Sequence, residues 1–312
     1  MIDWYRKNNY WVKWIISIGL LCIIFYRVDL KFFFEAFKTV GWEYYLLLIL
    51  ILFGLQTLSA LKWKVFLPNH SFGELLKLNL VANFYAFLIP SSFTVDATRA
   101  IKTDKKDKGS IGVITSVFMD KWLGLLSVII LMLFSFCFYS IQKIDVFFVP
   151  LIVLSLLMFL ITYFLFSGTL TLIVSKITNI FFKPEGKIAL YLGKLIKLLE
   201  NIAIEARNKK AIILNLLLAI IFQLVNASAS YALGLIMHME LNFWDFCLLT
   251  CLIQLVMLLP LSIAGIGAKD VSVVALLGLA GISNEKALAF SLIGYPVILL
   301  FVFVGYILDQ RK

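Results

Sequence analysis

Charged residues are scarce in this chain: Asp, Glu, Lys and Arg make up 15% of its 312 residues, whereas 62% are hydrophobic. A soluble domain carries about 25% charged residues. A chain this apolar lacks the polar side chains that would cover a water-exposed surface around one core. The composition therefore excludes an ordinary soluble domain and predicts a protein embedded in a lipid bilayer.

Residues that commonly carry catalysis or bind metals are also few. The two histidines, His70 and His238, fall far apart, and all four cysteines lie inside apolar stretches. We find no glycine-rich phosphate loop, no zinc pattern and no nucleophile elbow. We therefore expect no catalytic residue, no metal, no cofactor and no enzymatic activity, and we interpret the cysteines as packing residues.

Long apolar stretches recur along the chain, each near the ~20 residues that a helix needs to cross the bilayer. Backbone polar groups find no water in hydrocarbon, so such stretches must be helical. We predict an all-α integral membrane protein with a single transmembrane domain over residues 1–312. About six spanning helices are expected, near 11–28, 44–61, 111–139, 146–166, 211–237 and 287–308.

Two shorter apolar stretches do not resemble simple spans. Residues 75–89 end at Pro90, and residues 243–259 end at Pro260, which is followed by Gly265 and Gly267. A polar segment and a second short helix follow each proline. Broken segments of this kind are typical of re-entrant hairpins, which are tolerated at membrane depth where protein or a water-filled cavity surrounds them.

Basic residues set the expected orientation. The chain has 28 Lys and Arg against 18 Asp and Glu, and the basic residues stand between the apolar stretches. This arrangement follows the positive-inside rule and indicates orientation and attraction to anionic lipid rather than nucleic-acid binding. The basic segments all lie on the same side of the membrane only if both short apolar stretches, 75–89 and 243–259, are re-entrant. We therefore expect a multi-pass protein of the plasma (inner) membrane with both termini in the cytoplasm.

Residues 187–206 differ from the spanning stretches. Leucines and isoleucines recur there at spacings of three and four, with Lys194, Lys197 and Glu200 between them. This pattern predicts an amphipathic helix on the cytoplasmic membrane surface. A helix that binds a partner protein is the alternative.

The two hairpins suggest an internal repeat, with a first copy at about 44–139 and a second at about 211–308. Pro90-Ser91-Ser92 matches Pro260-Leu261-Ser262, and a cation, Arg99 or Lys269, stands nine positions after each proline. The predicted topology gives the copies opposite orientations. Two inverted copies with broken helices are typical of transporters with a midplane site, where helix ends favour an anion. Chance similarity between apolar segments is the alternative.

Six charged residues lie in or beside the hairpins: Asp96, Arg99, Asp120, Lys121, Lys269 and Asp270. Counting along the helix puts Asp120 and Lys121 roughly 15 Å deep at ~1.5 Å per residue. An unpaired charge there costs on the order of 3 kcal/mol. Either these residues pair with one another and lock the hairpins, or the cations bind an anionic headgroup beside Ser92 and Ser262.

Three segments carry a resemblance to a known family. They are Pro90-Ser-Ser-Phe-Thr-Val-Asp96-Ala-Thr-Arg99-Ala100, Ser116-Val-Phe-Met-Asp120-Lys121-Trp-Leu-Gly124-Leu125 and Leu259-Pro260-Leu-Ser-Ile-Ala-Gly265-Ile-Gly267-Ala-Lys269-Asp270. Together they resemble the flippase-like transmembrane domain of bacterial lysylphosphatidylglycerol synthases, over about residues 46–308. Thr94 and Val95 replace the usual glycine pair. Lys121, Lys269 and Asp270 replace Arg, Arg and Glu, which keeps the charge but loses the guanidinium's two-pronged hydrogen bonding.

The resemblance implies a translocator for a phospholipid or polyprenyl-linked lipid with an anionic headgroup. Arg99 and Lys269 would bind the phosphate, and Asp96, Asp120 and Asp270 would position them, with Lys121 nearby. Two alternatives remain open: a non-transporting membrane partner of a lipid- or glycan-modifying enzyme, and an intramembrane transferase.

Overall fold

The computed structural model describes residues 31, 34–35, 38–89, 93–104, 108–181, 187–258 and 268–310. All regular secondary structure in these ranges is helical. The predicted span at 11–28 lies outside them, as do the proposed hairpin breaks Pro90, Pro260, Gly265 and Gly267 and the two serines Ser92 and Ser262.

The helices follow one another in a fixed order along the chain. They are α1 (Trp42–Lys64), α2 (Phe72–Leu88), α3 (Thr94–Lys102), α4 (Gly109–Ser135), α5 (Phe148–Phe166), α6 (Thr169–Phe181), α7 (Lys187–Ala206), α8 (Lys209–Ile236), α9 (Phe243–Met257), α10 (Ala268–Leu279), α11 (Asn284–Leu292) and α12 (Tyr295–Gln310). A 3-10 turn, Gln142–Phe147, precedes α5.

Five segments of the described chain are long and apolar enough to cross a membrane: α1, α4, α5, α8 and the α11–α12 pair. They coincide with five of the six predicted spans, so the chain is a multi-pass membrane protein. The prediction of one continuous helix at 287–308 needs correction, because α11 and α12 are separate helices on either side of Ile293 and Gly294. Pro296 accounts for the break, since proline favours the first turn of a new helix.

Polar caps fix where several helices begin. The Ser71 side chain accepts a hydrogen bond from the backbone N–H of Glu74 at the start of α2. Asn242 and Asp245 form a reciprocal capping box at the start of α9. Each cap satisfies N–H groups that have no partner within the helix.

Two pairs of short helices pack against each other, α2 with α3 and α9 with α10. We call α2–α3 the first hairpin and α9–α10 the second hairpin. The first hairpin leads through residues 103–108 into the start of α4. The second begins beside the end of α4, where the backbone N–H and the hydroxyl of Ser140 each donate to Asp245 at 2.7 Å. The end of the first hairpin and the start of the second hairpin therefore lie at opposite ends of α4.

Helices of the first predicted repeat (α1–α4) pack against helices of the second (α8–α12). Helix α1 packs against α8, α2 against α12, and α9 against α4. Glycine permits the α2–α12 approach, since a Cβ on Gly305 would lie 2.2 Å from the carbonyl oxygen of Leu80. Glycine also permits the close approach of α8 and α9, because a Cβ on Gly234 would lie 2.1 Å from the Phe246 ring.

Helix α7 covers residues 187–206 and packs against α4, α5 and α6. Leu199 and Ile202 are buried, whereas Tyr191, Lys194 and Lys197 are exposed. A salt bridge between Lys108 and Glu205 joins α7 to the start of α4.

Candidate functional site

The first hairpin holds its cation in a buried ion pair. Arg99, on α3, donates from Nη1 to Oδ2 of Asp120 on α4 at 3.2 Å. Its Nη2 donates to the hydroxyl of Ser59 on α1 at 2.7 Å. The guanidinium lies over the Trp63 ring, 5.1 Å from its centre. Both terminal nitrogens of Arg99 are thus engaged by protein, and its side chain is 8% exposed.

Lys62, one of the basic residues at the end of an apolar stretch, also belongs to this cluster. Its Nζ lies 3.5 Å from Oδ1 of Asp120 and 5.4 Å from the centre of the Phe222 ring. Asn215 joins the same carboxylate, donating to Oδ1 of Asp120 at 3.1 Å and to the backbone oxygen of Lys62 at 2.8 Å. Two cations and one amide therefore converge on a single carboxylate.

The partners of Asp120 show where it lies along the neighbouring helices. It contacts Lys62, which lies two residues before the end of α1, and Asn215, in the second turn of α8. The depth of Asp120 in a membrane stays a prediction. The cluster lies toward one end of the bundle, beside the last turn of α1.

A second pair joins the same two helices. Lys121 Nζ lies 2.9 Å from Oδ2 of Asp96, and the two side chains are 44% and 18% exposed. An ion pair this exposed contributes about 0–1 kcal/mol. We therefore expect it to add little to the buried Arg99–Asp120 pair, which links the same helices.

In the second hairpin, Asp270 is held by hydroxyl groups. The Ser291 hydroxyl donates to Oδ1 at 2.8 Å, and the Tyr295 hydroxyl donates to Oδ2 at 2.9 Å. Asp270 is fully buried on α10. These bonds fasten α10 to both sides of the break between α11 and α12.

Lys269 has a different environment from its neighbour. Its Nζ donates to the backbone oxygen of Ser291 at 3.4 Å and lies 5.2 Å from the centre of the Tyr295 ring. Among the residues that the structure describes, no carboxylate oxygen lies within 4.0 Å of this ammonium group. Within the described ranges, Arg99 thus has a direct salt bridge and Lys269 does not.

Lys269 lines a cavity of about 230 Å³ between the two halves of the bundle, with walls from α1, α8, α9, α10 and the α11–α12 break. Its other polar lining residues are uncharged: Asn226, Ser230, Thr250, Gln254 and Ser291. A neighbouring cavity of about 220 Å³ shares Leu52 and Ile298 with it and contains Gln56 and Asn83. Lys269 therefore lines a cavity that is mainly apolar but carries several uncharged hydrogen-bonding groups, and we call it the polar cavity.

A larger cavity of about 600 Å³ lies on the opposite face of α9. Its lining is apolar apart from Ser272, and it includes Leu125, Leu154 and Leu255. The second hairpin is therefore flanked by a polar cavity on one face and an apolar cavity on the other.

The predicted site residues thus form two separate environments. In the first hairpin, Arg99 forms a salt bridge with Asp120, and Asp96 forms one with Lys121. In the second hairpin, Lys269 lies beside the cavity and next to Asp270 in sequence. Arg99 and Lys269 have no contact residue in common among those described. No group of three His, Cys, Asp or Glu side chains in the described ranges has a geometry that would hold a metal.

Comparison with known proteins gives one match. Residues 10–305 match the family described as "Lysylphosphatidylglycerol synthase TM region". Comparison with curated proteins and with solved structures found no match. The matched region covers nearly the whole chain and both hairpins, in agreement with the resemblance carried by the three motifs. The chain therefore belongs to the lysylphosphatidylglycerol synthase transmembrane-region family.

Proposed function

We propose that this protein is a carrier that moves an anionic phospholipid or polyprenyl-linked lipid between the leaflets of its membrane, and that it performs no chemistry on the lipid. The family description names a synthase of a membrane lipid, which supports a role connected with lipid. The proposal otherwise depends on one local arrangement, the Lys269 ammonium at the wall of the polar cavity.

That arrangement favours an anionic ligand. Removing an ammonium group from water is costly unless a partner compensates it. Lys269 has a carbonyl at 3.4 Å, an aromatic ring and the charge of the neighbouring Asp270, which compensate it only in part. A headgroup phosphate entering the cavity would supply a full negative charge and hydrogen-bond acceptors. The acyl chains would remain in the apolar surroundings of the bundle.

The arrangement of helices supports a transporter. The end of the first hairpin and the start of the second lie at opposite ends of α4, and the α2–α12 and α9–α4 contacts are reciprocal between the two predicted repeats. An inverted repeat would produce this exchange, and such repeats permit access from alternate sides by rocking one half against the other. We assign the first hairpin to the cytoplasmic side and the second to the outside.

Arg99 has a positioning role in this proposal rather than contact with the headgroup. Its guanidinium is already bound to Asp120 and Ser59. It fastens the first hairpin to α1 and α4, so that the second hairpin has a fixed surface to move against.

Reconstitution into liposomes tests the proposal. Purified protein should accelerate the passage of a fluorescent anionic phospholipid between leaflets, measured by quenching from one side. Lys269→Gln should slow this passage about 10- to 100-fold, because a hydrogen bond to a charged group contributes about 1.5–3 kcal/mol. Lys286→Gln is a matched control, since Lys286 also donates to one backbone carbonyl, that of His238 at 3.3 Å. Equal rates for the two variants would remove Lys269 from the transport path.

The orientation is tested by cysteine labelling. A cysteine at Lys194 should react with an impermeant reagent only from the cytoplasm, and cysteines at Asn242 and Asn284 only from outside. Cys137, which is exposed, is replaced first. Labelling of the Lys194 site from outside would invert the assignment of the hairpins.

A regulatory partner of a lipid- or glycan-modifying enzyme is the second candidate. The buried ion pair of the first hairpin favours it, because a locked interior is what a non-transporting anchor requires. The exposed basic residues of α7 would then bind the partner. Absence of transport with every phospholipid and polyprenyl phosphate tested, by folded protein, would favour this candidate.

A further inference from the structure

A group of polar side chains joins the first hairpin to the last helix, α12, at a place separate from the Arg99–Asp120 pair. Asp309, in the last turn of α12, forms a salt bridge with Lys102 at the end of α3. Asp309 also accepts a hydrogen bond from the Tyr85 hydroxyl of α2 at 2.7 Å. The Lys102 ammonium lies 4.7 Å from the centre of the Tyr85 ring. One carboxylate of α12 therefore binds both helices of the hairpin, and we call Tyr85, Lys102 and Asp309 the latch.

The latch is less enclosed by protein than the Arg99–Asp120 pair. The side chains of Lys102 and Asp309 are 34% and 16% exposed, whereas those of Arg99 and Asp120 are 8% and 5% exposed. The sequence that follows Lys102 is Thr-Asp-Lys-Lys-Asp-Lys, so the latch lies next to a polar segment of the chain. Separating two charges costs less beside polar groups than in a buried site. The latch is therefore the contact that opens more easily, and the buried pair is the one that persists.

Next to the latch, α2 and α12 are in direct contact. A Cβ on Gly305 would lie 2.2 Å from the carbonyl oxygen of Leu80. The ring centres of Phe84 and Tyr306 lie 5.4 Å apart. Close packing therefore leaves no gap between the two helices at these residues, and the latch lies at the end of this contact.

The α2–α12 contact separates the latch from a cavity. The cavity of about 220 Å³ has walls from α1, α2 and α12, and its residues on α12 lie between 298 and 302. Along α12 they are followed by Gly305 and then by Asp309, which lies about 10 Å beyond residue 302 at ~1.5 Å per residue. This cavity adjoins the polar cavity, with which it shares lining residues. Movement of α12 away from α2 at the latch would therefore connect both cavities with the side of the membrane that holds the latch.

We infer, on the basis of the proposed carrier function, that the latch is a gate on the cytoplasmic side, to which the first hairpin is assigned. With Lys102 and Tyr85 bound to Asp309, α12 closes both cavities toward that side. Entry of a headgroup from there requires Asp309 to leave its two partners, so that α12 moves away together with the second repeat. The Arg99–Asp120 pair keeps the first hairpin on α1 and α4 during this movement.

Thiol labelling tests the latch without any transport measurement. Ala86, which lines the cavity of about 220 Å³, is replaced by cysteine in protein whose four native cysteines have been changed to alanine. An impermeant maleimide is added from the cytoplasmic side of sealed membrane vesicles. Asp309→Asn should raise the labelling rate of Ala86→Cys about tenfold, because it removes the charged hydrogen bonds that favour the closed form. An unchanged rate in folded Asp309→Asn would overturn the latch.

Glu205→Gln is the matched control. Glu205 forms a salt bridge of similar exposure with Lys108, but this pair joins α7 to the start of α4. Glu205→Gln should leave the labelling rate unchanged, and a rise equal to that of Asp309→Asn would show a general loosening of the fold and overturn the latch.

Exchange of the two charges checks that the effect comes from the ion pair itself. Asp309→Lys alone should raise the labelling rate more than Asp309→Asn, because it places like charges together. The double variant Lys102→Asp with Asp309→Lys should return the rate toward that of the Ala86→Cys parent. Labelling of the folded double variant as fast as that of Asp309→Lys would contradict the role of the pair.

A cross-link separates the latch from the carrier proposal. Lys102→Cys and Asp309→Cys, joined by a short bifunctional maleimide, should halt the passage of labelled phosphatidylglycerol, whereas the same protein treated with a monofunctional maleimide should transport it. Undiminished passage through fully cross-linked protein would overturn the latch and leave the carrier standing. Faster labelling in Asp309→Asn without lipid passage in any form of the protein would contradict the carrier and support the latch as the contact that closes the cavity.

Discussion

The first and second hairpins carry cations at matching positions, yet in the part of the chain that the structure describes a direct salt bridge is present at Arg99 and not at Lys269. Arg99 is bound to Asp120, whereas Lys269 lies beside a cavity and over the Tyr295 ring. The following helix explains the difference. When Ser116 is aligned with Ser291, the position of Asp120 corresponds to Tyr295.

This comparison suggests how one repeat can specialise into two roles. A carboxylate at the corresponding position fastens the first hairpin to the bundle. A tyrosine there offers the second cation no carboxylate, and its hydroxyl instead holds Asp270. A buried ion pair is weak support for stability in general, but removing one partner leaves a costly unpaired charge. The comparison therefore predicts that the first hairpin serves structure and the second serves binding.

The largest loss of stability is expected from a substitution that breaks the ion pair of the first hairpin. Asp120→Asn should destabilise the protein by roughly 3–5 kcal/mol, because Arg99 and Lys62 would remain buried without a carboxylate. Thermal unfolding in detergent measures the loss. A Tm equal to that of the wild-type protein would show that Asp120 does not neutralise buried cations.

A smaller effect is expected at the second hairpin. Tyr295→Phe removes a hydrogen-bond donor from the buried Asp270, and we expect a loss of about 1–3 kcal/mol in the same unfolding measurement. Tyr306→Phe is the matched control, because the Tyr306 side chain is 43% exposed. Equal stability of the two variants would contradict the role assigned to the Tyr295 hydroxyl.

The smallest effect is expected at the exposed pair. Asp96→Asn should change the stability by about 0–1 kcal/mol, because the Asp96–Lys121 pair is much less buried in protein than the Arg99–Asp120 pair. A loss as large as that of Asp120→Asn would mean that the exposed pair, rather than Arg99–Asp120, fastens the first hairpin.

Much of the architecture could be predicted from composition and local pattern. The length of the apolar stretches was enough to predict the five spans that the described residues contain. The break between α11 and α12 was not predicted, although Gly294 and Pro296 mark it in the sequence. The topology and the inverted repeat stay predictions.

The sites were harder to predict, because long-range packing assembles them. Lys62 looked like a loop cation at the end of an apolar stretch, and only the packing of α1 against α4 and α8 brings it to Asp120. Asn226 and Gln254 were not predicted as site residues, because the prediction considered charged residues and not the uncharged amides inside spanning helices. Such amides are informative in a membrane, where they usually hydrogen-bond between helices.

The most direct test of the central claim compares the two cations in one transport measurement. Phosphatidylglycerol passage is recorded for Lys269→Gln and Arg99→Lys, with each rate divided by the amount of folded protein. Arg99→Lys keeps a cation beside Asp120, so we expect a rate near that of the wild-type protein. Lys269→Gln should be slower by about tenfold or more, because the phosphate loses its charged donor. Normal transport by Lys269→Gln together with loss of transport in folded Arg99→Lys would contradict the account, since the headgroup would then use the first hairpin.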